Sequence, residues 1–172
     1  MASLGHLASR FFGSLLPIGP RPPDADWALG HLNGGERAIW ARMSRADRRH
    51  AAGVARRVSV ALGDLATTEV VAAALLHDCG KVVSGLGTPA RVVATVAAAV
   101  RGREKAEAWA EGRGVPRRVG LYLRHPQLGA DLLTAAGSHP LTAMWAGEHH
   151  RPEAVWTVPL EVGRALKAAD DD

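Results

Sequence analysis

The chain has 172 residues, 47% of them hydrophobic and 22% charged, enough apolar material for one domain with a buried core. Its formal charge of +4 comes from scattered arginines rather than a dense basic stripe, which argues against nucleic-acid binding and suits a small anionic substrate. A single cysteine, Cys79, excludes an internal disulfide and makes a cytoplasmic setting the expectation, and no apolar run reaches the roughly 18–20 residues of a membrane span.

Residues 1–23 read as an appendage: a short amphipathic helix packed on the domain, then a proline-dense linker, 17–23. A signal peptide is the weaker reading, because Gly13 and Pro17 break the apolar stretch Phe11–Ile18 and no small-residue cleavage pattern follows. From residue 24 to 172 nearly every segment reads as helix. Trp27, Leu29 and Leu32 form a short apolar piece ending at Asn33-Gly34-Gly35, and Ile39, Trp40 and Met43 recur at helical spacing. Ser44 is an N-cap with Asp47 three positions on, and the helix they open carries Val54, Val58 and Leu62 to a stop near Gly63. Thr67 or Thr68 caps the next helix, which is apolar on all sides over Val70–Leu76 and therefore buried. It delivers His77-Asp78 and ends at Cys79-Gly80. Thr88-Pro89 opens a helix to about Val100, residues 101–114 form an exposed loop or short helix, and Pro116 starts a helix to Arg124. Segments 126–136, 141–150 and 159–170 complete the chain. With many alanines and no strand alternation, the expected class is all-α.

Seven residues on these helices have the chemistry of one metal site: His50, the pair His77-Asp78, His125, the pair His149-His150, and Asp170. Imidazole and carboxylate are the usual protein ligands of catalytic divalent metals. An aspartate at the end of a buried helix is costly to keep charged without a partner, and a metal ion is one such partner. Asp78 can bridge two metals, one on each carboxylate oxygen. Adjacent residues on a helix point about 100° apart, but near a helix end both members of a pair can reach one cluster. Two metals roughly 3.5–4 Å apart would polarise a phosphoryl group and hold a bridging hydroxide for in-line attack. Five imidazoles lean the site to iron or manganese, with zinc, cobalt or nickel also fitting and magnesium disfavoured. His6, His31 and His139 read as ordinary histidines, Cys79 as a packed thiol, and Arg45, Arg48, Arg49, Arg56 and Arg57 as a solvated helix face. Trp109, Trp145 and Trp156 pack the core or line a pocket.

Leu75–Lys81 (LLHDCGK) resembles the defining motif of the HD superfamily of metal-dependent phosphohydrolases. Asp47–His50 followed by Val54 is similar to the helix that carries that superfamily's first histidine. Residues 124–133 (RHPQLGADLL), 146–150 (AGEHH) and 165–170 (ALKAAD) are similar to later motifs of its HD-GYP branch. The resemblance covers about residues 36–172 and implies a single HD-domain helical bundle. It implies that His50, His77, Asp78 and Asp170 hold one divalent transition metal and His125, His149 and His150 a second, with Asp78 bridging. It further implies that Lys81 contacts substrate phosphate and that metal-bound hydroxide hydrolyses a nucleotide or other small phosphate ester. Arg124 and Arg151 are phosphate ligands or surface residues. Asp47 orients His50 or caps its helix, and Glu148 has no assigned role. No Gly-Tyr-Pro follows His149-His150, and Ala46 stands where a third-metal glutamate would sit. These departures favour two metals over three and weigh against cyclic di-GMP hydrolysis; cyclic dinucleotide phosphodiesterase and dinucleoside polyphosphate hydrolase are two substrate versions of the phosphohydrolase that the resemblance implies. A non-catalytic regulatory module and a di-iron HD oxygenase are the other functions the resemblance allows.

Overall fold

The periodicity of the sequence is carried into the fold: every regular element among the described residues, 22–172 of this computed structural model, is a helix. In order they are α1 (Pro22–Gly30), α2 (Gly34–Arg42), α3 (Arg45–Leu62), α4 (Thr68–Leu76), α5 (Lys81–Ser84), α6 (Thr88–Arg101), α7 (Arg103–Glu107), α8 (Gly114–Leu123), α9 (His125–Ala135), α10 (Pro140–Glu148) and α11 (Leu160–Asp171). The appended helix expected before them lies outside the described residues, as does His6. Pro22 opens α1 instead of closing a linker, since a first-turn proline lacks only an amide the helix does not use.

Local chemistry sets the boundaries. Asn33, read from sequence as a breaker, is also the N-cap of α2: its Oδ1 accepts from the Glu36 amide and Glu36 Oε2 accepts from the Asn33 amide, both at 2.8 Å. Ser44 caps α3, its Oγ accepting from the Asp47 amide at 3.1 Å. That helix ends at Gly63, whose φ of 52° favours glycine. The charged stretch 101–114 contains the short helix α7 and a 3-10 turn, Ala108–Glu111.

The apolar run Val70–Leu76 is buried throughout, so α4 is the central element, packed against α3 and α10. Leu75 and Leu76 are fully buried, each contributing about 1.5–3 kcal/mol relative to exposure. Along the outside of this centre, α11 packs on α3 and α9 on α10. A smaller core of Leu86, Ala94, Ala106, Val119 and Leu123 lies under α6, α7 and α8, with Trp109 against it. Trp145 is buried in the main core, edge-on to Trp156 at 5.3 Å.

Two arginines expected on a solvated face are used by the fold. Arg56 stacks 3.8 Å over Trp27 and pairs with Asp24, which ties α1 to α3. Arg57 donates Nε and Nη2 to the Ala169 carbonyl at 3.1 and 2.7 Å, fastening the end of α11 to α3. Among the described residues no single helix is long and apolar enough to cross a membrane.

Candidate metal centre

Helix ends deliver most of the candidate ligands. His77 and Asp78 follow the last residue of α4, His125 is the first residue of α9, and His149 and His150 follow the last residue of α10. His50 lies within α3, and Asp170 in the last turn of α11. Gly80 lets these elements converge. A Cβ there would lie 2.0 Å from the His125 carbonyl oxygen and 2.6 Å from the Gly129 amide nitrogen, so α9 closes directly on the turn after Asp78.

All seven residues meet in one cluster, in two groups that share Asp78. One is His50, His77 and Asp78; the other is Asp78, His125, His149 and His150, and within each group the ligand atoms lie within 4.8 Å of one another. Asp170 joins the first group, its Oδ1 2.9 Å from His50 Nε2 and 3.5 Å from His77 Nε2. Asp78 divides its oxygens between them. Oδ2 lies 3.4 Å from His77 Nε2, and Oδ1 lies 3.2 Å from His125 Nε2 and 3.6 Å from His149 Nε2. Lys81 Nζ contacts Oδ2.

The imidazoles are oriented by their own helices. Nδ1 of His77, His125 and His149 donates to the carbonyl of Ala74, Tyr122 and Ala146 respectively, each three residues earlier, at 2.9, 2.7 and 2.9 Å. A carbonyl only accepts, so Nδ1 carries a proton and Nε2 faces the cluster, its lone pair free whenever the ring is neutral. Those three Nε2 atoms and Asp78 Oδ1 are buried without a hydrogen bond, although they lie close to one another. Buried polar atoms are rarely left so. Two ligands of one metal, each about 2.1 Å from it, stand about 3.0–3.4 Å apart at octahedral or tetrahedral angles. The separations around Asp78, 3.2–3.6 Å, are close to that range, and the residues fit a cation.

Electrostatics favour positive charge here. Burial opposes the charge of Asp78, yet Lys81 and His77 hold its carboxyl well below the usual carboxylate range. Asp170 is also held below that range, burial again opposing and His77 and His50 prevailing. Burial pushes His77 down, but the two aspartates outweigh it and raise it to about 10. The acids thus hold a proton where a metal would otherwise satisfy them. His125 is pushed down, chiefly by burial. His150 shifts the same way, through desolvation first and then His149 and His125. Both are held neutral, the form that binds metal. His50 and His150 are the members that reach solvent, and they mark the way in.

Other candidates separate from the cluster. Asp47 serves as part of the cap of α3 and accepts Arg91 Nη1 on both oxygens at 2.7 and 2.9 Å. Glu148 accepts from the Thr157 amide and hydroxyl at 2.7 and 2.6 Å, so it holds the connection between α10 and α11. Arg124 pairs with Glu111 at 2.9 Å, and Arg151 is exposed. Cys79 packs in the main core, and burial pushes its thiol up to about 12. His31 lies against Trp27, and His139 caps α10. Sequence reasoning missed Tyr122, the only tyrosine, whose ring stacks on His125 at 5.6 Å. Its position three residues before a helix-end histidine was the available signal. Arg91 gave none, being 44 residues from Asp47.

A scan against family models finds no match, and searches of the curated proteins and of the solved structures find none. An all-helical fold around a buried His/Asp cluster that could hold metal is compatible with an HD-type site.

Proposed function

We propose that the chain is an HD-type phosphohydrolase that binds two divalent transition metals, iron or manganese, and acts on a nucleotide or another small phosphate ester. The observation that carries this reading is the division of Asp78, with one carboxylate oxygen toward the His50 and His77 side and the other toward His125 and His149. His50, His77 and Asp170 would complete one metal position and His125, His149 and His150 the other. A cation pair bound there supplies Lewis acidity toward a phosphoryl group and generates a nucleophile from water at neutral pH.

The protein's part is orientation. Three backbone carbonyls fix the tautomers of His77, His125 and His149. Asp170 keeps His50 Nε2 turned toward the cluster while no ion is bound. Lys81, in contact with Asp78 and partly open to solvent, would neutralise a phosphate oxygen of the substrate. The test is elemental analysis of the purified full chain together with hydrolysis of p-nitrophenyl phosphate and a nucleotide panel under manganese or iron. About two ions per chain and metal-dependent turnover are expected. A protein with no transition metal that hydrolyses nothing after loading refutes the reading.

A further inference from the structure

Next to His125, a second polar position assembles from separate elements. Arg91, on α6, donates Nε to the Leu86 carbonyl at 3.0 Å and Nη1 to both oxygens of Asp47 on α3. These bonds fix the guanidinium while Nη2 has no hydrogen-bond partner among the described residues. Its central carbon lies 6.0 Å from the ring centre of Tyr122, on α8, and that ring stacks on His125. The Tyr122 hydroxyl is also unpartnered, and neither it nor Arg91 Nη2 is sealed from solvent.

An ion pair that merely tied α6 to α3 would account for Nη1 and Asp47. It would not account for a guanidinium edge and a phenol that both stay unpartnered and open to solvent a few ångströms apart. An arginine held by a carboxylate on one side keeps a donor pair for an anion on the other, at little conformational cost on binding. From His125 the Tyr122 ring and then the guanidinium follow at 5.6 and 6.0 Å. A chain of linked phosphates spans such steps; an isolated phosphate does not.

We propose that Arg91 Nη2 and the Tyr122 hydroxyl form an anion position next to the metal centre, so that the preferred substrate carries a second phosphate besides the one presented to the metals. The substrate clause rests on the phosphohydrolase reading above; the anion position itself does not. Calorimetric titration of the full chain with manganese present, using inorganic triphosphate and orthophosphate as probes, tests it. Triphosphate binds at least tenfold more tightly in the native protein. Arg91→Gln lowers the ratio of triphosphate to orthophosphate affinity about 10–100-fold, and Tyr122→Phe about 2–10-fold. Tyr122→Phe keeps the ring on His125, so it reports even if the unpaired Asp47 prevents Arg91→Gln from folding. A ratio unchanged in either folded variant overturns the proposal. Hydrolysis of p-nitrophenyl phosphate by the native chain is read separately: turnover with no ratio effect removes the anion position alone, and a ratio effect with no turnover removes the hydrolase alone.

Discussion

Gly80→Ala tests whether the approach of two backbones builds the centre. The new Cβ would sit 2.0 Å from the His125 carbonyl oxygen, 2.6 Å from the Gly129 amide nitrogen and 2.9 Å from the His125 carbonyl carbon. Non-bonded contacts of this kind do not fall below 3.0 Å, so α9 must retreat by at least about 1 Å at the residue that carries a ligand imidazole. The obstructing atoms are main chain and cannot rotate away. Overpacking of this kind costs typically 1–3 kcal/mol, and this site belongs at the upper end, about 3 kcal/mol or more. For a chain of this size that lowers Tm by about 6–12 °C. A shift of about 1 Å in a reacting group is also enough to cost about 100-fold in rate. Thermal and denaturant unfolding measure the first effect, and metal content with turnover the second. Gly30→Ala is the control: a Cβ there meets nothing within 4 Å, so stability stays within about 0.5 kcal/mol. A Gly80→Ala protein with native Tm and native metal content would refute the reasoning.

Asp78→Ala removes the carboxylate common to both groups, and metal content falls from about two ions to fewer than one, with turnover lost and far-UV circular dichroism retained; two tightly held ions in this variant contradict the shared role. Glu148→Ala strips the two hydrogen bonds from Thr157 and costs about 1.5–3 kcal/mol in urea unfolding, while metal content per folded chain stays native; loss of metal without loss of stability would contradict this structural role. The pH response of the metal-free protein follows from His77, whose folded value is raised from 6.5 to about 10 by Asp78 and Asp170. A raised folded value means that its stabilisation is whole below about pH 6.5 and is lost as pH climbs toward 10, so metal-free Tm falls across that window. Metal binding runs the other way, tightening as the imidazoles lose protons and weakening below about pH 6. A metal-free Tm that rises between pH 7 and 10, or metal held firmly at pH 4, would contradict these assignments.

Much of the architecture is legible in the chain because its causes are local. Helical periodicity, the all-round apolar run Val70–Leu76, the Ser44 cap and the stop at Gly63 depend on residues a few positions apart, and the helices appear where that chemistry puts them. The candidate ligands are legible as residue types for a related reason: an aspartate ending a buried helix needs a partner whatever the rest of the fold does. Three features were decided only by the folded structure. The oxygens of Asp78 take different partners, Oδ1 meeting His125 and His149 from α9 and the end of α10, and Oδ2 meeting His77 and Lys81. Glu148 is taken up by Thr157, and Arg91 by Asp47 and the Leu86 carbonyl, instead of both standing open as surface charges. Gly80 reads as a helix breaker, yet what requires a glycine there is main chain from α9, some 45 residues on. Propensity, capping and periodicity act over one or two turns of chain, whereas the direction in which a side chain or a lone pair faces depends on elements that meet only when the core closes.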